Sequence, residues 1–239
     1  MTWKLGNEIK AILFDKDGTL VDFDKTWAET NRKAAMIAAG GDARLAEIML
    51  VECGMDPATG KTRPDSMFAA ANANEIAAHM VLHGSPLEAE KLARLLDQTF
   101  VEGADTPWPI CDLGALMTTL SAAGLPTGIA SSDAEASIRR TVEVLGLASH
   151  VRFIAGYDSG HGPKPEPGML RAYAAHLGLK PAEIAMVGDN RHDMEMARAA
   201  GAGAAIGVLS GTGTRQSLAE LADVLIASVA DLPGLVERA

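Results

Sequence analysis

Basic charge is in short supply in this 239-residue sequence: 21 lysines and arginines face 31 aspartates and glutamates, a formal net charge of −10. No basic run offsets the deficit, and a surface of this sign repels a phosphate backbone, so a nucleic-acid partner is not expected. Cysteine is nearly absent. Cys53 and Cys111 stand far apart in no metal-ligand spacing, which excludes a disulfide scaffold and fits a reducing compartment. No uncharged apolar run approaches the ~20 residues that span a bilayer. The first ten residues carry Lys4, Glu8 and Lys10 and no apolar core, so no secretory leader is expected, and a soluble, cytoplasmic protein without a membrane partner is. What is present is ordinary for a globular protein: 48% apolar and 22% charged residues, which excludes a disordered or collagen-like chain. The length suits one large domain, or a domain with a smaller insert.

Short apolar runs alternate with helical stripes, with one interruption. Ile9 to Phe14 reads as a buried strand ending at Asp15. From Asp24 to about Phe100 the chain is rich in Ala and Met and shows helical faces only, such as Leu45, Ile48 and Met49, or Leu92, Leu95, Leu96 and Phe100. The loop from Gly54 to Pro64 breaks it with two glycines and two prolines. After Pro107 the alternation returns. Strands are expected at Pro126–Ala130, Val151–Ala155, Ile184–Val187, Ala204–Leu209 and Val224–Ala227. Helices are expected from Leu113, around Ile138–Leu145 with Asp133 as cap, at Met169–Leu177 and at His192–Ala200. This order implies an α/β, doubly wound parallel sheet covered by helices on both faces. Residues 1–20 and 107–239 would form that core, and 21–106 a helical insert.

In such a sheet ligands bind beyond the carboxyl ends of the strands. Asp15 and Asp17 follow the first strand, Ser131 and Ser132 the second, Lys164 lies in the loop after the third, and Asp189 and Asp193 follow the fourth. Four acids, a hydroxyl pair and one lysine thus collect on one edge. A carboxylate can attack phosphorus, and a second carboxyl two residues on can protonate the leaving oxygen and later activate water. Crowded carboxylates need a hard divalent cation, and Mg²⁺ prefers oxygen ligands and substrate phosphate. Lys164 would offset charge on the transferring group and Ser131 would donate to one of its oxygens. Gly18 would let the backbone turn so that N–H groups near Asp17 face the phosphate.

These segments carry a resemblance. Asp15-Lys16-Asp17-Gly18-Thr19-Leu20, Ser131 at a strand end, Lys164 within Gly162-Pro163-Lys164-Pro165, and Gly188-Asp189-Asn190-Arg191-His192-Asp193 resemble, in order, the four motifs of the haloacid dehalogenase superfamily of hydrolases. The insert after the first motif is similar to the small helical cap of the phosphoglycolate phosphatase and β-phosphoglucomutase branch. The resemblance implies a Rossmann-like core, Asp15 as nucleophile and metal ligand, and Asp17 as general acid and base that also gives the metal its backbone carbonyl. It implies Asp189 as a further Mg²⁺ ligand, Ser131 and Lys164 as phosphate holders, Asp193 as an orienter of Lys164 or of a metal-bound water, and Thr19 as a brace for the loop around Asp17. Asp17 also separates the chain from the dehalogenases, the phosphonate-cleaving branch and the cation pumps, which lack an aspartate there. The implied activity is Mg²⁺-dependent hydrolysis of a small phosphorylated metabolite through an aspartyl phosphate, with phosphoglycolate favoured. A β-phosphoglucomutase-like phosphotransferase and a non-catalytic binding protein on the same fold are the alternatives.

Other polar residues admit two readings. Ser131 has the chemistry of a helix cap as well as of a phosphate donor, and Asp193 that of a first-turn acid. Lys16, by strand alternation, should point away from both aspartates. His79 and His83 are four apart on one helix face, but no third metal ligand stands near them in sequence, so packing is the better reading. His161 either faces the site or does not. Lys61 and Arg63 sit in the 54–64 loop: either they reach the substrate and read a second anionic group, or they are solvated surface charges.

Overall fold

The computed structural model describes residues 4–236. Six parallel strands form one sheet in the order β3-β2-β1-β4-β5-β6. They are β1 (Ala11–Phe14), β2 (Thr127–Ala130), β3 (Val151–Ala155), β4 (Ile184–Gly188), β5 (Ala204–Val208) and β6 (Val224–Ile226). β1 lies between β2 and β4, with Phe14 opposite Ile129 on one side and Val187 on the other. Because these strands end in register, the residues that follow them emerge side by side.

The apolar runs are continuous because both faces of the sheet are covered. Along β1, Ile12 and Phe14 pack with Leu116, Met117 and Leu120 of α6 (Leu113–Ala122), with Ile138 and Val142 of α7 (Glu135–Val144), and with Val236 of α11 (Pro233–Val236). Ala11 and Leu13 face the other way. They pack with Met169, Leu170 and Tyr173 of α8 (Gly168–Leu177), Met194 and Ala197 of α9 (Arg191–Ala200), and Leu218 of α10 (Arg215–Ala219). Alternate side chains of one strand thus feed two separate cores, as pleating requires.

Between β1 and α6 run five helices: α1 (Phe23–Ala38), α2 (Ala43–Glu52), α3 (Met67–Ala70), α4 (Ala73–Leu82) and α5 (Ala89–Gly103). They bury a third core of their own, built on Trp27, Met49, Phe68, Ile76, Met80, Leu92, Leu96 and Phe100. Asp22 caps α1, Asp42 caps α2, and Asn72 with Glu75 closes α4 by a reciprocal capping box. The buried face of α2 is Ala46, Met49 and Leu50, whereas Ile48 is 47% exposed. The Leu45–Ile48–Met49 stripe expected from spacing is therefore rotated. Asp133 is not the cap of α7 either. The helix begins later, and Asp158 accepts from the Glu135 N–H at 2.8 Å in its place. No helix among the described residues is long and apolar enough to cross a membrane.

Candidate active site

β1 delivers the first acid. The backbone N–H of Asp15 extends the ladder to Val187 at 2.8 Å, so its side chain leaves the sheet at the carboxyl edge. One oxygen, Oδ1, accepts from Lys164 Nζ at 2.7 Å, while Oδ2 is buried and has no hydrogen-bond partner. Burial raises the Asp15 pKa, and Lys164 pulls it back only in part. Lys164 arrives from the loop between β3 and α8 and also donates to Asp193 Oδ1 at 2.5 Å. Burial works to lower its pKa, but the two carboxylates outweigh it and hold the ammonium charged.

β4 delivers the other acids through the first turn of α9. Asp193 Oδ2 accepts from the Asn190 N–H at 3.0 Å, so one carboxylate both closes the helix box and carries Lys164. Its neighbour Gly188 has no room for a side chain, since a Cβ there would stand 2.3 Å from Asp193 Oδ2. Asp189 is held from two sides: Thr19 Oγ1 donates to its Oδ1 at 3.3 Å and the Thr212 N–H to its Oδ2 at 2.7 Å. Burial first, then the charge of Asp15, pushes the Asp189 carboxyl well above the usual range. Thr19 thus reaches Asp189 rather than only bracing its own loop. Gly18, at φ +83°, turns the chain, but its N–H goes to Val21 O at 2.7 Å and not into the cavity.

Asp17 sits in a second cluster. Trp27 Nε1 of α1 donates to Asp17 Oδ1 at 2.6 Å. Lys16 Nζ lies 2.7 Å from Asp17 Oδ2 and 3.2 Å from Asp133 Oδ2, with its ammonium 4.6 Å from the Trp27 ring centroid. This overturns the expectation that Lys16 turns away. The strand ends at Phe14, so alternation no longer governs Lys16, and its long stem folds back beside Asp17. Burial raises the Asp17 carboxyl to about 6, against the opposing pull of Lys16.

These groups open on one shared cavity. Its sheet side is Asp15, Asp17, Ser131, Ser132, Asp133, Lys164, Asp189, Asn190, His192 and Asp193; its helical side is Phe23, Trp27, Asn31, Phe68, the alanines 69–71, Ala73, Ile76 and Phe100. Ser131, 2% exposed, accepts from the Asp133 N–H at 3.2 Å. Two groups whose sequence admits a place at the site lie away from this cavity. Lys61 and Arg63 are exposed and line no part of this cavity; the Arg63 guanidinium donates to Val51 O at 3.0 Å. The stretch that approaches from the helical side is Phe68–Ala73. His161 is exposed and rests near the Phe153 ring, away from the cavity.

Sequence reasoning missed the loop after β5. Ser210 Oγ donates to Gly18 O at 2.8 Å, Thr212 holds Asp189, and a Cβ on Gly211 would fall 2.0 Å from Asp189 Oδ2. The run Ser210-Gly211-Thr212-Gly213 at a strand's carboxyl end was the available signal. Asn31 was missed as well. It is 2% exposed, lines the cavity, and its Nδ2 has no partner.

The donor set suits a hard divalent cation. Carboxylate oxygens of Asp15, Asp189 and Asp193 lie within 4.8 Å of one another, all buried. Around the cavity five carboxyl groups (Asp15, Asp17, Asp133, Asp189, Asp193) face two ammonium groups (Lys16, Lys164), a formal charge of −3. The unpartnered Asp15 Oδ2 is where a cation would relieve most.

Comparison with known proteins agrees with this geometry. The family model described as haloacid dehalogenase-like hydrolase matches residues 9–201. A phosphoglycolate phosphatase of Yersinia pseudotuberculosis is 29% identical over 233 residues, covering 94% of this chain and 91% of that protein. Among solved structures, a predicted phosphoglycolate phosphatase from Haemophilus somnus superposes with a TM-score of 0.75 at 18% identity, covering 97% and 99% of the two chains. CbbY from Rhodobacter sphaeroides in complex with phosphate superposes at 0.69 with 20% identity, over 94% and 96%. At these identities the two structures speak for the fold alone.

Proposed function

The chain belongs to the haloacid dehalogenase-like hydrolase family, and from that premise we propose that it is a Mg²⁺-dependent phosphomonoester hydrolase working through a phosphorylated Asp15. The observation that carries this reading is Asp15 itself: a buried carboxylate with one oxygen on Lys164 and the other on nothing, at the mouth of the sheet. The name of the Yersinia relative supports the same reaction class.

Asp15 and Asp189 would hold the ion, with the Asp17 backbone carbonyl. When bound, it supplies positive charge that draws the phosphoryl group and the nucleophile together. An Asp15 oxygen attacks phosphorus, the bond from phosphorus to the ester oxygen breaks, and the Asp17 carboxyl gives its proton to that leaving oxygen. Water then attacks phosphorus, the Asp15–phosphorus bond breaks, and Asp17 takes back a proton. Trp27 and Lys16 keep Asp17 aimed, and its raised pKa lets it carry that proton near neutral pH. Lys164 and Ser131 bind phosphoryl oxygens, and Asp193 orients Lys164. Residues 21–106 act as a cap that excludes bulk water.

Phosphoglycolate, the substrate in the Yersinia relative's name, is the first to test. A second reading rests on the wall opposite the acids. Apart from Lys164, which is already paired, the described lining holds no lysine or arginine, and its helical side is aromatic and aliphatic around the single amide of Asn31. That wall suits an uncharged leaving group better than a carboxylate. The test is phosphate release from phosphoglycolate, sugar phosphates, nucleotides and phenyl phosphate, with Mg²⁺ and with chelator, for wild type and Asp15→Asn. Release that needs both Mg²⁺ and Asp15 supports hydrolysis, and the ranking of phosphoglycolate against phenyl phosphate decides between the two leaving groups. No release above the Asp15→Asn background overturns it.

A further inference from the structure

Away from the cavity, the helical segment brings Glu52 of one helix against two histidines of another, three side chains of metal-ligating chemistry. His79 lies in the last turn of α4, His83 follows at its C-cap, and Glu52 is the last residue of α2. One ring nitrogen of each histidine and a Glu52 carboxylate oxygen lie within 4.8 Å of one another. The two rings stand 4.2 Å apart between centroids.

The hydrogen bonds fix what each nitrogen can do. His83 Nδ1 lies 2.8 Å from His79 O. A carbonyl only accepts, so Nδ1 carries the proton, and in the neutral ring the lone pair is on Nε2. That nitrogen lies 3.5 Å from Glu52 Oε2. Orienting a histidine through a backbone carbonyl on its far nitrogen is how metal-binding imidazoles are commonly held. His79 Nε2, in turn, is buried and has no partner. A neutral Nε2 lone pair and a carboxylate repel at this range unless a positive charge sits between them. The His83–Glu52 spacing also fits: two ligands each about 2.0–2.2 Å from one tetrahedral zinc stand about 3.4 Å apart.

We propose that Glu52, His79 and His83 form a second metal site, specific for a borderline d-block divalent cation of the Zn²⁺ class and separate from the acidic cluster at the sheet edge. Two imidazoles and one carboxylate make a zinc-like donor set, whereas Mg²⁺ takes oxygens and so discriminates between the two clusters. The fourth position opens to water, since Glu52 and His83 keep 46% and 33% of their side-chain surface exposed. Occupancy ties the C-terminal end of α2 to that of α4, so the site staples the helical segment and takes no part in phosphoryl chemistry.

The test uses the full chain, stripped with chelator and returned to excess Mg²⁺ so that the acidic cluster is filled. Zn²⁺ is titrated in competition with a chromogenic chelator, and Co²⁺ is used to read the ligand field. The expected result is one further equivalent of Zn²⁺, a rise in melting temperature, and a tetrahedral Co²⁺ visible spectrum. His79→Gln and His83→Gln each abolish that equivalent, while Asp189→Asn retains it. Glu52→Gln, at an exposed position, weakens it and serves as the control on folding. No Zn²⁺ uptake in the presence of Mg²⁺ overturns the proposal. So does uptake that survives both histidine changes, or that disappears with Asp189→Asn.

Discussion

The two walls of the cavity are made of opposite materials. The sheet edge contributes the acids, Lys164 and the strand-end hydroxyls; the helical segment contributes Phe23, Trp27, Phe68, Ile76 and Phe100, with Asn31 as the one amide it presents to the cavity. The charged wall is built by register, because Phe14, Ile129 and Val187 end together and whatever follows them must meet. The apolar wall is the underside of a separate core, whose Trp27 reaches across to Asp17 at 2.6 Å. The contrast separates bond-breaking from substrate choice: loss of a sheet-edge group should cost rate for every substrate, loss of a helical one should re-rank substrates.

Breaking the sheet side gives the largest effect. Asp15→Asn should lower kcat by at least about 10⁴-fold while the fold persists, since the change removes a nucleophile and a costly buried charge together. Phosphate release alongside a melting curve checks both halves. Lys164→Met should come next. It strands Asp15 and Asp193 without their shared ammonium, and a buried pair broken from one side costs about 3–5 kcal/mol. Urea denaturation without Mg²⁺ should show that loss, and added Mg²⁺ should restore part of it.

Acidity sharpens the same side. Asp17 titrates at about 6 in the fold against an ordinary 3.8. A raised carboxyl binds its proton more tightly folded than unfolded, so its contribution is complete below the unfolded value and is lost as pH rises through about 6. Asp15 and Asp189 shift in the same direction. With chelator, the urea midpoint should therefore fall between about pH 4 and pH 7. With Mg²⁺ the fall should be smaller. A midpoint that climbs with pH in chelator would mean these acids are not the strained groups of the fold.

On the helical side effects should be smaller and selective. Asn31→Leu should change kcat/KM by about 1–2 kcal/mol for substrates that offer its amide an acceptor and leave phenyl phosphate nearly untouched. Lys61→Ala and Arg63→Ala should stay within about twofold for every substrate, as exposed charges remote from the cavity do.

The same contrast governs how much was legible in the sequence. The sheet was readable because a strand buried on both faces writes itself as a short apolar run, and the runs at Ile184–Val187 and Ala204–Leu209 fall on β4 and β5. Asp15, Asp189 and Asp193 converge because topology, not local detail, places strand ends. Lys16 was misjudged because pleating stops at Phe14, one residue before the motif begins. Lys61 and Arg63 stayed open between two readings because a loop's composition says where the chain turns and not what it turns toward. Glu52 escaped for a related reason: spacing reports the face of one helix, and this ligand comes from another.

The most direct measurement is acid-quenched mass spectrometry of the protein during turnover of its best substrate with Mg²⁺. The account predicts one added phosphoryl group on the peptide that holds Asp15, absent in Asp15→Asn and in chelator. Turnover with no label on that peptide, or turnover that survives Asp15→Asn, would contradict it.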